Sequence, residues 1–246
     1  MTVSGRRESL RRDIVVIGGL LLVAAALILY LTAGTGNDGA SAAPASRPEA
    51  SARAIADGVE HRGPRGMERR VPGDPLALGD PDAPVGLVVF SDYRCPFCAK
   101  FSRDTEPELI RRYVEAGKLR IEWRDFPIFG DQSMLAARAG RAAADQGRFW
   151  EFNRAVYAAT PERTKANLTE DALIGFAEQA EVPDIEKFTA GMRGTAYDTA
   201  IDADLSQGTA IGVPSTPAFL IDDVPLLGAQ PTVEFIRAID AALADR

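Results

Sequence analysis

The chain has 246 residues, a formal net charge of −7, two cysteines and one histidine. Its length allows one large domain or two small ones, and 46% hydrophobic with 26% charged residues excludes wholesale disorder. Two cysteines exclude a disulfide-rich scaffold, and one histidine leaves little for a metal centre or a histidine-based catalytic triad. The acidic net charge argues against a nucleic-acid partner.

The first distinct segment is a run of 20 uncharged residues from Ile14 to Ala33. A helix rises about 1.5 Å per residue, so this run would span roughly 30 Å, the thickness of the hydrocarbon core of a bilayer. Four arginines lie between residues 6 and 12, and no basic cluster follows the run. The positive-inside rule therefore predicts a single-pass transmembrane anchor, with residues 1–13 in the cytoplasm and the rest of the chain outside.

Two other interpretations of this segment remain open. One is a cleaved signal peptide with a small-residue cleavage site, and the other is a twin-arginine export signal. The length of the apolar run favours the uncleaved anchor, because the apolar region of a signal peptide is typically only about 7–15 residues long. All three interpretations place the remainder of the chain outside the cytoplasm.

Residues 34–72 are rich in Ala, Gly, Ser, Pro and Arg and show no helical or alternating apolar pattern. This composition predicts a flexible linker. The single histidine, His61, lies inside it, and we interpret this side chain as solvated rather than catalytic. The folded domain is then predicted to comprise residues 73–246.

The domain begins with a strand and a helix. Val85–Phe90 is a continuous apolar run of strand length, which is typical of a strand buried on both faces. A helical stretch follows Cys98 and ends at about Ala116. Thr105–Glu108 combines a capping-box pattern with a proline suited to a first helical turn, so a kink or restart of the helix is expected there.

A second strand is predicted at Leu119–Phe126, where apolar and polar residues alternate. In this prediction Leu119, Ile121 and Trp123 point inward and the polar side chains point outward.

A long block of helical character comes next, and one cap within it is clear. Thr169 precedes a helix with Glu170 and Asp171 in its first turn, where the helix dipole favours acidic residues. The predicted helical stretches are 134–159, 170–180, 185–192 and 197–211.

The chain closes with two strands and a helix, predicted at 218–221, 224–227 and from Pro231 onward. The last helix places Phe235, Ile236, Ile239 and Leu243 on one face. A two-residue turn makes these last strands antiparallel, whereas the first two need a helical crossover and are parallel. The sequence therefore predicts an α/β fold with a mixed sheet covered by helices.

Both cysteines lie in the motif Cys95-Pro96-Phe97-Cys98, directly after the first strand and at the start of a helix. Unpaired amides and the dipole at a helix N-terminus stabilise an anion, and Arg94 adds positive charge, so the Cys95 thiol should ionise at a lower pH than a free cysteine. Pro96 fits the first helical turn. We predict that Cys95 is the exposed attacking thiol and that Cys98 is the resolving thiol.

Other uses of the two cysteines are less favoured. A structural disulfide with this spacing closes almost no loop and gains little chain entropy. Zinc and iron–sulfur sites need four ligands, and copper or haem sites call for a histidine beside the thiols. We therefore predict no metal, and a redox-active disulfide as the only redox group.

Four sequence blocks resemble the DsbA-like branch of the thioredoxin superfamily, in family order: Phe90–Cys98, Trp123–Pro127, Gly147–Phe152 and Gly212–Pro217. The resemblance extends from about Asp74 to Ala244. It implies a thioredoxin fold with a mixed central sheet and a helical insertion at about 130–212.

The resemblance also assigns roles to individual residues. It implies a cis peptide bond at Thr216-Pro217 facing the two cysteines, with backbone groups of Thr216 free to bind an extended substrate segment. Phe97 stands where the best-known family member has a histidine, and Val89 stands where a buried carboxylate often serves proton transfer. We expect Arg94, Pro96 and Phe97 to tune the redox potential of the Cys95–Cys98 couple. The couple should be oxidising, but less oxidising than one with a histidine in place of Phe97.

We therefore expect a membrane-tethered thiol–disulfide oxidoreductase that donates its disulfide to exported or secreted proteins carrying cysteine thiols. The resemblance implies a quinone-linked membrane partner of the DsbB or vitamin K epoxide reductase type for reoxidation. A monomer is the default expectation. The alternatives are a membrane-tethered reductase or isomerase, for instance in cytochrome c maturation, and a redox-inert binding module that keeps the fold.

Overall fold

The computed structural model describes residues 66–246. The predicted anchor at 14–33, the cytoplasmic segment 1–13, most of the predicted linker and His61 lie outside the described residues. Among the helices from residue 66 onward, none has the length and apolar character needed to cross a membrane.

The described chain forms five strands and eight helices, with one π-helical turn at Ile110–Val114 that extends the second helix. The strands are β1 (Ala77–Leu78), β2 (Val85–Ser91), β3 (Leu119–Asp125), β4 (Ala218–Ile221) and β5 (Val224–Leu227). The helices are α1 (Pro96–Asp104), α2 (Glu106–Leu109), α3 (Asp131–Ala144), α4 (Phe149–Ala159), α5 (Glu170–Gln179), α6 (Ile185–Arg193), α7 (Asp198–Ala210) and α8 (Thr232–Ala244).

The strands build one mixed sheet in the order β1-β3-β2-β4-β5. β2 and β3 are parallel, and the other neighbouring pairs are antiparallel. Val89 of β2 lies opposite Trp123 of β3 on one side and Phe219 of β4 on the other. The α/β fold with a mixed sheet is confirmed, and the short edge strand β1 is an addition that the sequence pattern did not indicate.

The main core lies on one face of the sheet. Val89, Trp123 and Phe219 belong to it, and Phe101 of α1 and Phe235 of α8 cover this face. The ring centroids of Phe101 and Phe219 are 4.5 Å apart, and those of Phe219 and Phe235 are 4.8 Å apart. The apolar faces of α1 and α8 thus hold the start of the Cys-Pro-Phe-Cys helix firmly against the central strands.

The predicted outward orientation of the polar side chains of β3 is wrong. Arg120, Glu122 and Arg124 are fully buried on the second face of the sheet. The Glu122 carboxylate accepts hydrogen bonds from Arg120 Nε (2.8 Å), Arg124 Nη2 (2.8 Å) and the backbone N–H groups of Arg69 (2.7 Å) and Arg70 (2.8 Å). Alternation correctly separates the two faces of a strand, but this second face is covered by other chain segments rather than by water.

The end of the predicted linker, 34–72, also differs from the expectation. Met67 is 9% exposed and packs against Val88, Phe90 and Phe126. Arg124 Nη2 donates to the Met67 carbonyl (2.9 Å). The segment carries no hydrophobic period because its attachment is made mainly through backbone groups and arginines. Residues 67–70 are therefore attached to the domain that was predicted to begin at 73.

The helical predictions are largely confirmed. α1 ends at Asp104 and α2 begins at Glu106, so the helix restarts where the proline pattern placed the break. The Thr169 hydroxyl caps α5 by accepting from the Ala172 N–H (3.3 Å). The stretch at 134–159 is two helices, because Gly147 adopts a positive φ of 71° and turns the chain between α3 and α4. The helical insertion comprises α3 to α7, between β3 and β4.

Candidate active site

The two cysteines lie just after the central strand β2, at the start of α1. Cys95 is the N-cap residue of α1, and Pro96 occupies its first turn. The Ala99 N–H donates to the Cys95 carbonyl (3.1 Å), which starts the helix, and Cys98 lies one turn along. Both cysteines are free thiols in this structure, so it shows the reduced state.

The loop between β2 and α1 is fixed by the buried carboxylate of Asp92. This group accepts hydrogen bonds from the backbone N–H groups of Arg94 (2.8 Å), Ile128 (2.8 Å) and Phe129 (3.2 Å). Burial raises the pKa of Asp92, while these backbone donors act against the rise. Asp92 therefore couples the cysteine loop to the segment that follows β3.

Arg94 donates side-chain hydrogen bonds to two backbone carbonyls outside the cysteine loop. Its Nε donates to the Ala166 carbonyl (3.0 Å), and its Nη1 donates to the Phe129 carbonyl (2.6 Å). The side chain thus bridges the cysteine loop to the helical insertion. The geometry places Arg94 among the residues that position the site.

Thr216 and Pro217 face Cys95, as the resemblance implied. Their peptide bond is cis, and the Cys95 thiol donates to the Thr216 carbonyl with an Sγ–O distance of 3.2 Å. The Thr216 hydroxyl is buried and has no hydrogen-bond partner among the described residues. It is therefore free to turn toward the Cys95 sulfur, whose pKa the Thr216 side chain lowers. The structure thus brings together four of the residues predicted for the site.

The two thiols have opposite acidities. The pKa of Cys95 falls to about 6, first because of a hydrogen bond from Cys98; burial opposes this fall, while Thr216 and the backbone N–H groups of Cys98 and Phe97 add to it. Burial, followed by the proximity of Cys95, raises the pKa of Cys98 well above the ordinary thiol value. Cys95 is therefore the more acidic thiol of the pair, and Cys98 is the thiol that keeps its proton.

The prediction that Cys95 is exposed is wrong. Cys95 is 2% exposed and Cys98 is 1% exposed. The loop that carries Thr216 and Pro217 lies over the Cys95 sulfur, which a sequence pattern 120 residues away does not reveal. The side chain that does face solvent is Phe97, which is 59% exposed and forms an apolar surface beside the reactive thiol.

Sequence reasoning missed three polar residues beneath the cysteines. Burial raises the pKa of Cys98, and the Asp92 N–H and the Ser91 side chain act against this rise. Tyr157 of α4 forms a hydrogen bond with Ser91. The apolar run before Cys95 ends in Ser91-Asp92, a signal that could have marked them. Tyr157 carries no such signal, because its hydroxyl partner is 66 residues away in the chain.

Val89 is 2% exposed and lies in the core. The position where a buried carboxylate often serves proton transfer is therefore apolar in this protein. No group of three or more His, Cys, Asp or Glu side chains that could hold a metal ion is found between residues 66 and 246.

A cysteine pair at a helix N-terminus, one thiol acidic and the other buried, facing a cis-proline on a mixed sheet defines a DsbA-like thiol–disulfide oxidoreductase. The sequence profile of the thioredoxin family matches residues 72–241, and the chain belongs to that family.

Individual relatives agree with this membership. A probable disulfide bond formation protein D of Bacillus anthracis is 29% identical over 150 residues, which covers 59% of this chain and 69% of that protein. A Na(+)/H(+) antiporter NhaA 1 of Mycobacterium sp. (strain KMS) is 30% identical over 195 residues, 76% of this chain but only 30% of that protein. The crystal structure of oxidised BdbD from Bacillus subtilis shares the fold, with a TM-score of 0.67 at 22% identity, covering 74% of this chain and 97% of that one.

Proposed function

We propose that this protein is an extracytoplasmic oxidase that donates a Cys95–Cys98 disulfide to proteins carrying cysteine thiols. The observation that carries the proposal is the low pKa of Cys95, about 6. A thiol that is stabilised as the thiolate stabilises the reduced form of its couple, which makes the disulfide a stronger oxidant. The printed name of the Bacillus anthracis relative, a disulfide bond formation protein, supports the same direction.

The reaction needs only the two cysteines of this chain. A substrate thiolate attacks Cys95 Sγ, a mixed disulfide forms, and the Cys95–Cys98 bond breaks with its electron pair passing to Cys98. A second substrate thiolate attacks the substrate sulfur, closes the substrate disulfide and expels Cys95 as the thiolate. The substrate loses two electrons, the cysteine pair gains them, and Cys98 takes up one proton from solvent.

Thr216 and Pro217 are proposed to hold the substrate during this exchange. They lie directly against the Cys95 sulfur, and an extended peptide placed beside them would present its own sulfur to Cys95. Exposed Phe97 provides an apolar contact next to this position. Pro96 and Phe97 tune the couple through the start of α1, while Arg94 and Asp92 fix the loop on which it depends.

Turnover requires an oxidant that reoxidises the reduced pair. A quinone-linked membrane protein of the DsbB or vitamin K epoxide reductase type fits this need, and the uncharged run at 14–33 would hold the domain beside it as a single-pass anchor. The anchor and the partner both belong to the proposal.

The test combines an activity with a potential. The oxidised protein is expected to restore activity to reduced, unfolded ribonuclease, and Cys95→Ser is expected to abolish this effect. In a Cys98→Ser variant the Cys95 thiolate should attack a disulfide of an oxidised substrate, and the resulting mixed disulfide should accumulate because the resolving thiol is absent. A potential of about −120 to −180 mV would fit an oxidase, whereas a value near −270 mV would identify a reductase and overturn the proposal.

A further inference from the structure

Two buried hydroxyl groups lie beside the cysteine loop, and one of them binds the carbonyl of Asp92 in that loop. Ser91 Oγ and Tyr157 OH are 2.9 Å apart, and Tyr157 OH donates to the Asp92 carbonyl (3.1 Å). Ser91 is 3% exposed and Tyr157 is 1% exposed, so water does not compete for these bonds. Burial raises the pKa of Cys98, and the Ser91 side chain acts against this rise.

Two residues before Ser91, β2 carries an apolar side chain. Val89, two residues before Ser91 on β2, is buried in the core and offers no hydrogen bond. Cys98 nevertheless develops negative charge whenever it leaves Cys95 or attacks a mixed disulfide. A buried sulfur anion without donors is costly, and a hydrogen bond to a charged group is worth more than one to a neutral group.

We propose that Ser91 and Tyr157 form a hydroxyl pair that positions and stabilises the developing thiolate of Cys98, with Ser91 donating to the sulfur and Tyr157 donating to Ser91. The inference rests on the proposed thiol–disulfide exchange and adds two positioning residues to it.

Two hydroxyl rotations are enough for this role. In the reduced structure, Tyr157 donates to the Asp92 carbonyl, which leaves its oxygen to accept the Ser91 hydrogen. Ser91 Oγ then needs no hydrogen from Cys98, whose proton is donated to Cys95. When Cys98 carries charge, Ser91 turns its hydrogen to the sulfur and Tyr157 turns its hydrogen to Ser91 Oγ. No covalent bond changes within the pair, and no proton leaves it.

The neighbouring aromatic residue offers a matched control. Tyr93 stacks on Tyr157 with ring centroids 5.5 Å apart, and its hydroxyl is also buried. The Tyr93 hydroxyl makes no hydrogen bond to Ser91 in the structure. Tyr93→Phe and Tyr157→Phe therefore remove the same atom from adjacent rings, and only the second removes a partner of Ser91.

The experiment measures exchange in both directions with glutathione as the probe. One rate is the reduction of the oxidised protein by reduced glutathione, in which Cys98 leaves. The other is the release of glutathione from its mixed disulfide with Cys95, in which Cys98 attacks. Ser91→Ala is expected to slow both rates about tenfold, and Tyr157→Phe to slow both by a smaller factor. Tyr93→Phe should stay within about twofold of the parent protein.

The hydroxyl pair acts on the transition state in which Cys98 carries negative charge, and this state is the same for both directions of exchange. The equilibrium constant with glutathione should therefore change less than about twofold in all three variants. The inference would be overturned if Ser91→Ala exchanged with glutathione as fast as the parent protein, or if Tyr93→Phe and Tyr157→Phe were slowed equally. If Ser91→Ala does not fold, the comparison of the two tyrosine variants decides. Slowed glutathione exchange in a protein that fails to oxidise ribonuclease would overturn the proposed function and keep this inference.

Discussion

The acidity of Cys95 depends on a small number of donors around one sulfur. Cys98 contributes most, and Thr216 and the first turn of α1 add to it against the cost of burial. Because Cys95 is 2% exposed, none of these donors can be replaced by bulk water without movement of the loop that carries Thr216. Each donor should therefore have a measurable effect on the thiol titration.

Thr216→Val removes one donor while keeping the shape of the side chain. The pKa of Cys95 is expected to rise by about one unit, since a hydrogen bond to a charged group is lost. Thiolate absorbance at 240 nm as a function of pH measures this shift. Thr209→Val removes a hydroxyl from the exposed face of α7 and should leave the titration unchanged. An unchanged titration in Thr216→Val would show that the threonine hydroxyl does not reach the sulfur.

A second residue-scale effect concerns Glu106, a buried carboxyl at the start of α2. Burial raises its pKa to about 7, with Ser102 and Arg154 acting against the rise. The folded state therefore holds a proton that the unfolded state releases at about 4.5. The free energy of unfolding should fall as pH rises from 4.5 to 7, by at most about 3 kcal/mol, and stay lower above pH 7.

Glu106→Gln should remove this pH dependence and leave the protein more stable than the parent at pH 8. Urea unfolding between pH 4.5 and pH 8 provides the measurement, with Glu108→Gln on the same short helix as the control. A stability difference between Glu106→Gln and the parent that is the same at every pH would rule out the titration of Glu106 as its cause.

At the scale of elements, β3 shows how a strand can be polar and buried at once. Glu122 is enclosed by Arg120, Arg124 and the backbone of Arg69 and Arg70. Burial opposes ionisation, but these donors outweigh it and lower the pKa of Glu122 to about 2. The associated stability is present above pH 4.5 and is lost as pH falls toward 2.

Glu122→Gln is expected to destabilise the protein by about 3–5 kcal/mol at pH 7, because it leaves buried guanidinium groups without their counter-charge. Chemical unfolding measures the loss, and Glu115→Gln, a surface change just before β3, is the control. Residues 66–71 should also become sensitive to proteolysis, since their backbone is held by this carboxylate. A Glu122→Gln protein as stable as the parent would contradict the role assigned to the ion cluster.

The order and type of most elements follow from the sequence, for physical reasons. Val85–Phe90 is a short apolar run rich in valine, which favours a strand buried on both faces, and the proline in Thr105–Glu108 favours an interruption of the helix. The segments that cover each face of the sheet cannot be predicted from the sequence of the strand itself. The burial of Glu122 depends on a segment 50 residues earlier, and the contact of Ser91 with Tyr157 joins residues 66 apart.

At the scale of the whole molecule, the sheet and the helical insertion together position the residues around the two cysteines. β2 delivers Ser91 and the cysteine loop, β4 follows Thr216 and Pro217, and α4 brings Tyr157 beneath Cys98. Three distant segments of the chain therefore meet at the same sulfur pair. The redox state of that pair must then be linked to the stability of the entire domain, because only the folded arrangement lowers the pKa of Cys95.

This linkage has a definite sign. In the reduced protein the pKa of Cys95 is about 6, whereas the unfolded thiol has its ordinary value of 9.0. The stabilisation is fully present above pH 9 and is lost as pH falls toward 6; at pH 7 it amounts to about 1.4 kcal/mol relative to acidic conditions. The oxidised protein has no such titration. The unfolding free energy of the reduced form should therefore increase relative to that of the oxidised form as pH rises from 5 to 9. Paired urea unfolding of both forms across this range measures it, and a difference independent of pH would contradict the link between fold and thiolate.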